Sequence, residues 1–169
     1  VGGVLAAFAV TSLLARFPTG AIYTVDRARR LLVVGGALSA VAFALIPLVG
    51  GPFQVGVLMA VDGFGWSMAT TAQLAVLVAA RPEGLTTASA MGWYSGFNGL
   101  GNFAAGVTAG VLADSLGFVP SLLILAAMPA FATAVMVRAM PWHRLQRDAP
   151  AEAGRARPSL KGAWGDLRN

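Results

Sequence analysis

The chain has 169 residues, of which 57% are apolar and only 11% are charged, and its net charge is +5. Soluble domains carry about 25% charged residues, so this composition excludes a soluble globular domain, because there are too few polar residues to cover a core. The absence of Cys excludes disulfides and thiolate metal sites. Alternating apolar and polar residues, which are typical of a membrane barrel, do not occur. We therefore expect an all-α membrane protein, since helices satisfy their own backbone groups in lipid.

Five apolar segments follow one another, each long enough to span a bilayer as a helix of roughly 20 residues. Glycine and proline mark the breaks at 50–52, 81–84 and 114–117, and Pro120 suits the first turn of the fifth helix. A polar tail follows, expected to be cytoplasmic and mostly flexible, in which 159–167 fits either a linker or a short amphipathic helix on the membrane surface. The predicted spans are about 3–25, 31–49, 53–80, 87–112 and 120–140, and the tail is 141–169.

The basic residues predict the orientation of these spans. Eleven of the twelve Lys and Arg residues fall on one side of a five-span arrangement, and such an excess marks the cytoplasmic side. The positive charge therefore indicates a multi-pass protein of the plasma membrane, whose partner is the lipid bilayer rather than nucleic acid. The eleven are Arg27, Arg29, Arg30, Arg81, Arg138, Arg144, Arg147, Arg155, Arg157, Lys161 and Arg168.

Two charged residues, Arg16 and Asp62, lie inside predicted spans, where charges are costly and often functional. Each is about 15 Å from one end of its span at 1.5 Å per residue, so we expect them at similar depth. One interpretation is a structural ion pair, and a second is that Arg16 extends its charge toward the cytoplasmic surface. A third is that Asp62 carries a transported proton.

Polar and aromatic residues in the third and fourth spans are candidates for a substrate path. Tyr94, Asn98 and Asn102 are four residues apart and so share one face of a helix. Ordinary packing or lipid contact is the alternative for the tryptophans, and hydrogen bonds between helices are the alternative for the asparagines. The candidates are Trp66, Gln73, Trp93, Tyr94, Asn98 and Asn102.

The fourth span also contains two pairs of glycines at four-residue spacing. Small residues at this spacing allow helices in membranes to approach closely. We therefore predict that Gly92, Gly96, Gly106 and Gly110 pack against another helix.

The segments 16–20 (RFPTG) and 26–30 (DRARR) together resemble the major facilitator superfamily, which has a Gly, an acidic residue and a basic cluster between the second and third helices of a six-helix half. Ala28 or Arg29 stands where that family has a further Gly. Segments 62–67 and 81–84 resemble the family's fourth helix and the loop after it. The glycine-rich run 99–110, followed by Asp114, is similar to its fifth or eleventh helix.

The resemblance implies that the chain is part of a helical bundle of that family and that the first helix of one half is missing. The spans are then helices two to six or eight to twelve, and the similarity of 157–169 to the segment before a seventh helix favours the first half. It also implies alternating-access transport of a small solute by a permease or efflux protein, secondary active, with a proton as one candidate coupling ion. The remaining half is the implied partner, and no cofactor or metal is implied. The implied cytoplasmic gating loop comprises Gly20, Asp26, Arg27, Arg29 and Arg30.

Two other classes of function are weighed against transport. One is a non-transporting membrane scaffold or receptor-like subunit. The other is a membrane-embedded enzyme, which the sequence favours least, because His143 is the only His and no nucleophile or phosphate-binding motif occurs. We therefore predict that the protein is not an enzyme. Solute transport by the full-length protein separates the first hypothesis from the others.

Overall fold

The described part of the chain, residues 2–81, 84–140, 142, 143 and 145 of a computed structural model, contains five α-helices and no strand. A 3₁₀ turn, Ile46–Leu48, follows the second helix. The predicted all-α fold with five helices is confirmed. The helices are α1 (Gly2–Ile22), α2 (Val25–Leu45), α3 (Pro52–Ala79), α4 (Thr87–Leu116) and α5 (Phe118–Ala139).

Local side-chain chemistry sets the helix starts. α3 begins at Pro52, whose fixed φ suits a first helical position, and the Gln54 side chain accepts hydrogen bonds from the backbone N–H groups of Gly50 (3.1 Å) and Gly51 (3.0 Å). α4 begins after Thr86, whose hydroxyl accepts from the backbone N–H of Ser89 at 3.1 Å. These contacts occupy backbone donors that a helix start or turn otherwise leaves without a partner.

The connection between α1 and α2 is shorter than predicted, since only Tyr23 and Thr24 separate the two helices. Thr24 is extended, and an acidic residue in the first turn of α2 suits the positive end of the helix dipole. The Arg27 guanidinium donates to the Ile22 carbonyl at 3.4 Å and so occupies an acceptor at the end of α1. The predicted loop bounds of this segment are therefore wrong, while its gating role stays a prediction. Its residues lie in helices: Gly20 in α1, and Asp26, Arg27, Arg29 and Arg30 in α2.

α3 lies at the centre of the packing, in contact with both α1 and α2, while α2 also packs against α5. Glycines bring the backbones together. A Cβ atom on Gly35 would lie 2.5 Å from the Gly65 carbonyl oxygen, and one on Gly65 would lie 2.6 Å from the Gly35 carbonyl oxygen. A Cβ on Gly63 would lie 2.5 Å from the Phe8 carbonyl oxygen of α1. No side chain fits at these three positions without displacing a helix.

The residues just after α5 close one end of the bundle. Leu145 packs with Ala28 and Val76, which are 0% and 2% exposed, and the Trp142 indole donates to the Val137 carbonyl at 2.9 Å. Ala28 therefore needs to be small. The start of the predicted flexible tail is thus packed on α2 and α3, whereas the rest of 141–169, including 159–167, lies outside the described residues, as do residues 82 and 83.

By length and composition, three helices of the described residues are apolar enough to cross a membrane: α1, α2 with its 3₁₀ turn, and α5. α3 and α4 are longer, at 28 and 30 residues, but they carry more polar side chains. That α3 and α4 also span the membrane stays a prediction. A helix with polar residues spans a bilayer if those residues face protein or a water-filled cavity.

Candidate functional site

A cleft of about 380 Å³ lies between α1, α3 and α4. It is the place where the polar residues of the two long helices meet a charge from α1. Its lining is formed by Arg16, Trp66, Thr70, Thr71, Leu74, Met91, Tyr94, Ser95 and Asn98.

Helical periodicity explains this lining. Trp66, Thr70 and Leu74 are four residues apart on α3 and therefore share a face. On α4, Tyr94 and Asn98 form the same kind of stripe. The Thr70 hydroxyl donates to the Trp66 carbonyl at 2.8 Å, so its hydrogen is used within α3. The remaining polar side chains of the lining are available to a solute.

Arg16 is the charged residue of the lining, which includes no carboxylate. It shares the lining with Tyr94, Ser95 and Asn98 of α4. Arg16 is about 9 Å from Ile22, the last residue of α1, at 1.5 Å per residue. The cleft is therefore nearer to the end of the bundle where α1 stops.

Asp62 lies elsewhere, on a face of α3 that packs inside the bundle. It is 5% exposed, and the polar side chain that interacts with its carboxyl is Ser39 of α2. Among the described residues Arg16 and Asp62 form no ion pair. Since Gly63 is level with Phe8, Asp62 lies about 9 Å or more from Arg16 along the bundle. The expectation of equal depth is wrong, because the contact between α1 and α3 shifts one helix relative to the other.

Four of the predicted site residues, including Arg16, meet in this cleft, and the other predicted positions do not. The cleft is lined by Arg16, Trp66, Tyr94 and Asn98. Its lining does not include Gln73, Trp93 or Asn102. Trp93 is 62% exposed and stacks on Phe97, with 5.8 Å between ring centroids. It borders a separate groove along α4, which Gly92 and Gly96 also line.

Sequence reasoning missed five lining residues: Thr70, Thr71, Leu74, Met91 and Ser95. Helical periodicity indicates three of them, since Thr70 and Leu74 follow Trp66 at four-residue steps and Met91 precedes Tyr94 by three residues. Thr71 and Ser95 are next to lining residues, and only the crossing of α3 and α4 brings them to the cleft.

The packing predicted for four glycines of α4 is not found within the described residues. A Cβ atom on Gly92, Gly96, Gly106 or Gly110 would have nothing within 4 Å. The close contacts are formed instead by glycines of α2 and α3. The position of α4 relative to helices outside this chain is a proposal taken up below.

The fold and the cleft define a class of protein: a multi-pass helical membrane protein with polar side chains collected between its helices. The family model for the Major Facilitator Superfamily matches residues 1–169, and this chain belongs to that family. No solved structure matches the chain at a significant level.

Two curated relatives are uncharacterised MFS-type transporters of Mycobacterium tuberculosis, one from strain CDC 1551 / Oshkosh and one from strain ATCC 25618 / H37Rv. Each is 33% identical to this chain over 143 residues, which amount to 83% of this chain and 34% of the relative. The chain therefore spans about a third of the length of these relatives.

Proposed function

We propose that the chain is part of a secondary transporter that moves a small solute across the membrane by alternating access, and that the cleft around Tyr94 contacts the solute. The observation that carries this proposal is the collection of polar and aromatic side chains from three helices in one cleft of the bundle. Membership of the family supports transport in general. The cleft brings together hydrogen-bonding and aromatic side chains that can contact a solute during transport.

The proposed transporter includes helices beyond this chain. The chain spans about a third of the length of its relatives, and solute sites in such transporters form between repeats. The bare faces of α4 support a position for it along the cavity between this chain and the remaining half, where it borders helices outside the chain without close backbone contact. The chain then supplies helices two to six or eight to twelve.

We place the protein in the plasma membrane with the α1–α2 connection, the α3–α4 connection and the tail in the cytoplasm. The one-sided distribution of Lys and Arg supports this orientation. Single cysteines test it in a cysteine-free version of the full-length protein. A membrane-impermeant thiol reagent added outside intact cells should label Gly51→Cys and leave Gly84→Cys unlabelled until the cells are opened. The reverse pattern would contradict the orientation.

Coupling to protons is proposed at Asp62. A carboxyl that is 5% exposed within the bundle and has a hydroxyl of Ser39 beside it can alternate between a protonated and an ionised form as water access changes. The distance from Arg16 supports separate roles, with solute at the cleft and the proton at Asp62.

The experiment that tests solute binding compares two asparagines of α4. Cells that overproduce the full-length transporter are supplied with a panel of radiolabelled small solutes, and accumulation or depletion relative to empty-vector cells identifies a transported one. Asn98→Ala should then reduce its transport at least about tenfold, the loss expected when a substrate hydrogen bond is removed from a site. Asn102→Ala, the matched control outside the cleft, should have little effect. Equal losses in both variants, or no transported solute, would contradict the proposal.

A further inference from the structure

The charge of the cleft is one-sided. Arg16 lines it, and no Asp or Glu does so among the described residues. Asp62, the acidic residue buried in the bundle, is about 9 Å or more from Arg16 along the helices and interacts with Ser39 instead. The guanidinium therefore has no carboxylate of the described chain to neutralise it, and a bound solute can supply one.

The groups around Arg16 divide into two kinds. Tyr94, Ser95 and Asn98 of α4 line the same cleft as Arg16 and carry hydrogen-bonding groups. Trp66, Leu74 and Met91 present apolar surface. A ligand that satisfies both kinds has an anionic head and a flat or apolar body, and 380 Å³ is enough room for one or two fused rings.

We propose that the cleft binds a small organic carboxylate, with its carboxylate on Arg16 and its apolar body against Trp66, Leu74 and Met91. This inference rests on the proposed function, because it names the class of solute for the same cleft. The planar guanidinium fork matches a carboxylate with two parallel hydrogen bonds. The Asn98 amide and the Tyr94 hydroxyl complete the polar contacts.

The competing role for Arg16 is that of a membrane anchor. Arginine near a helix end extends its charged group to the interface, and Arg16 is about 9 Å from the end of α1. The position of Arg16 in the cleft lining points the other way, because it shares that lining with Tyr94 and Asn98 of α4. If Arg16 is a membrane anchor, ligand binding does not depend on its charge. If Arg16 binds a carboxylate, removal of its charge weakens ligand binding.

The test uses the purified full-length transporter in phosphatidylcholine nanodiscs, where no anionic lipid headgroup competes. Tryptophan fluorescence measures binding of benzoate, 1-naphthoate and indole-3-acetate, each compared with its primary amide and its amidine. At least one carboxylate should bind, and it should bind at least tenfold more tightly than its amide and its amidine. Arg16→Gln should weaken its binding about 10- to 100-fold, the loss typical of a charged hydrogen-bonding partner. Arg16→Lys should retain part of the affinity, and Arg138→Gln, an exposed arginine of α5, should retain all of it.

Three results would overturn the carboxylate proposal: an amide or amidine that binds as tightly as its carboxylate, an unchanged affinity in Arg16→Gln, or no binding by any carboxylate. The comparison of each carboxylate with its amide and amidine uses the unaltered protein, so it tests the proposal even if Arg16→Gln fails to fold. Failure of the proposed function looks different, because Asn98→Ala would then reduce transport no more than Asn102→Ala does. If Asn98→Ala does reduce transport of a neutral or cationic solute, the cleft is a solute site and only its assignment to carboxylates falls.

Discussion

Helices α3 and α4 are similar in length and both carry glycines and polar side chains, yet their packing differs. α3 has eight buried residues, whereas Ala90 is the one buried residue of α4. α3 is held between α1 and α2, while α4 makes few contacts, with α3 and α5. Glycine spacing alone therefore does not distinguish a packed helix from an unpacked one.

The difference has a physical origin in the partner helix. Gly65 is close-packed because the Gly35 backbone reaches it from α2, and each glycine leaves the space that the other backbone fills. The glycines of α4 meet no such backbone within the described residues. One side of α4 instead contributes Tyr94 and Asn98 to the cleft. α3 thus serves mainly as the structural centre, and α4 as a wall of the proposed solute site.

The largest expected effect is a loss of folding from a bulky residue at the α2–α3 crossing. Gly65→Leu places side-chain atoms where the Gly35 carbonyl oxygen lies, and we expect destabilisation of about 3 kcal/mol or more, above the usual range for overpacking. Gly106→Leu on α4 should cost far less. Size-exclusion chromatography of the full-length protein measures the folded fraction. Equal damage from Gly106→Leu would show that α4 is as tightly packed, against a part of the protein outside this chain.

A second prediction separates the roles of the two helices in transport. If Asp62 of α3 carries the proton, Asp62→Asn should reduce uphill accumulation at least about tenfold, while exchange of solute across the membrane continues. Asn98→Ala of α4 should impair both, because it weakens solute binding itself. Accumulation and counterflow in proteoliposomes distinguish these outcomes. A transporter with Asp62→Asn that still concentrates its solute would exclude the proton role.

The comparison of α3 with α4 also predicts different losses of stability when a methionine of each helix is changed to alanine. Met68 of α3 is 9% exposed, and Met91 of α4 is 41% exposed. Met68→Ala removes packed atoms from the cluster with Leu31, Leu32 and Ala72, and should lower stability by on the order of 2 kcal/mol. Met91→Ala should change it by less than about 0.5 kcal/mol. Thermal unfolding of the two purified variants measures the difference, and similar melting temperatures would mean that α4 is covered in the full-length protein.

The smallest expected effect concerns coupling between Arg16 and Asp62. Because they form no ion pair in the described structure and sit at different levels, their substitutions should be nearly additive. The double variant Arg16→Gln/Asp62→Asn should differ in stability from the sum of the single variants by less than about 0.5 kcal/mol. A double variant that is clearly more stable than either single variant would instead indicate a structural pair in another conformation, since single substitutions then leave a buried charge alone.

The sequence predicts the helices well because apolar length and Gly or Pro breaks are local signals. It places the start of α4 at residue 87 and that of α3 within one residue. It misplaces the start of α2, because the charges of Asp26 to Arg30 look like a loop although they suit an exposed first turn. Residues at four-residue spacing on one helix, such as Tyr94 and Asn98, are found. The positions at which helices cross are not predicted. The sequence alone therefore assigns close helix packing to Gly106 instead of Gly65, and it places Arg16 level with Asp62.

The most direct test of the cleft as the solute site compares neighbouring positions on α4, Ser95 inside the cleft and Gly96 in the separate groove. Each is changed to cysteine in a cysteine-free full-length transporter, which is then treated with a water-soluble anionic methanethiosulfonate reagent during transport of an identified solute. We predict that Ser95→Cys reacts, that its transport is blocked, and that excess solute slows the reaction, while Gly96→Cys keeps transporting. Unimpaired transport by labelled Ser95→Cys, or solute protection at Gly96→Cys in its place, would contradict the account.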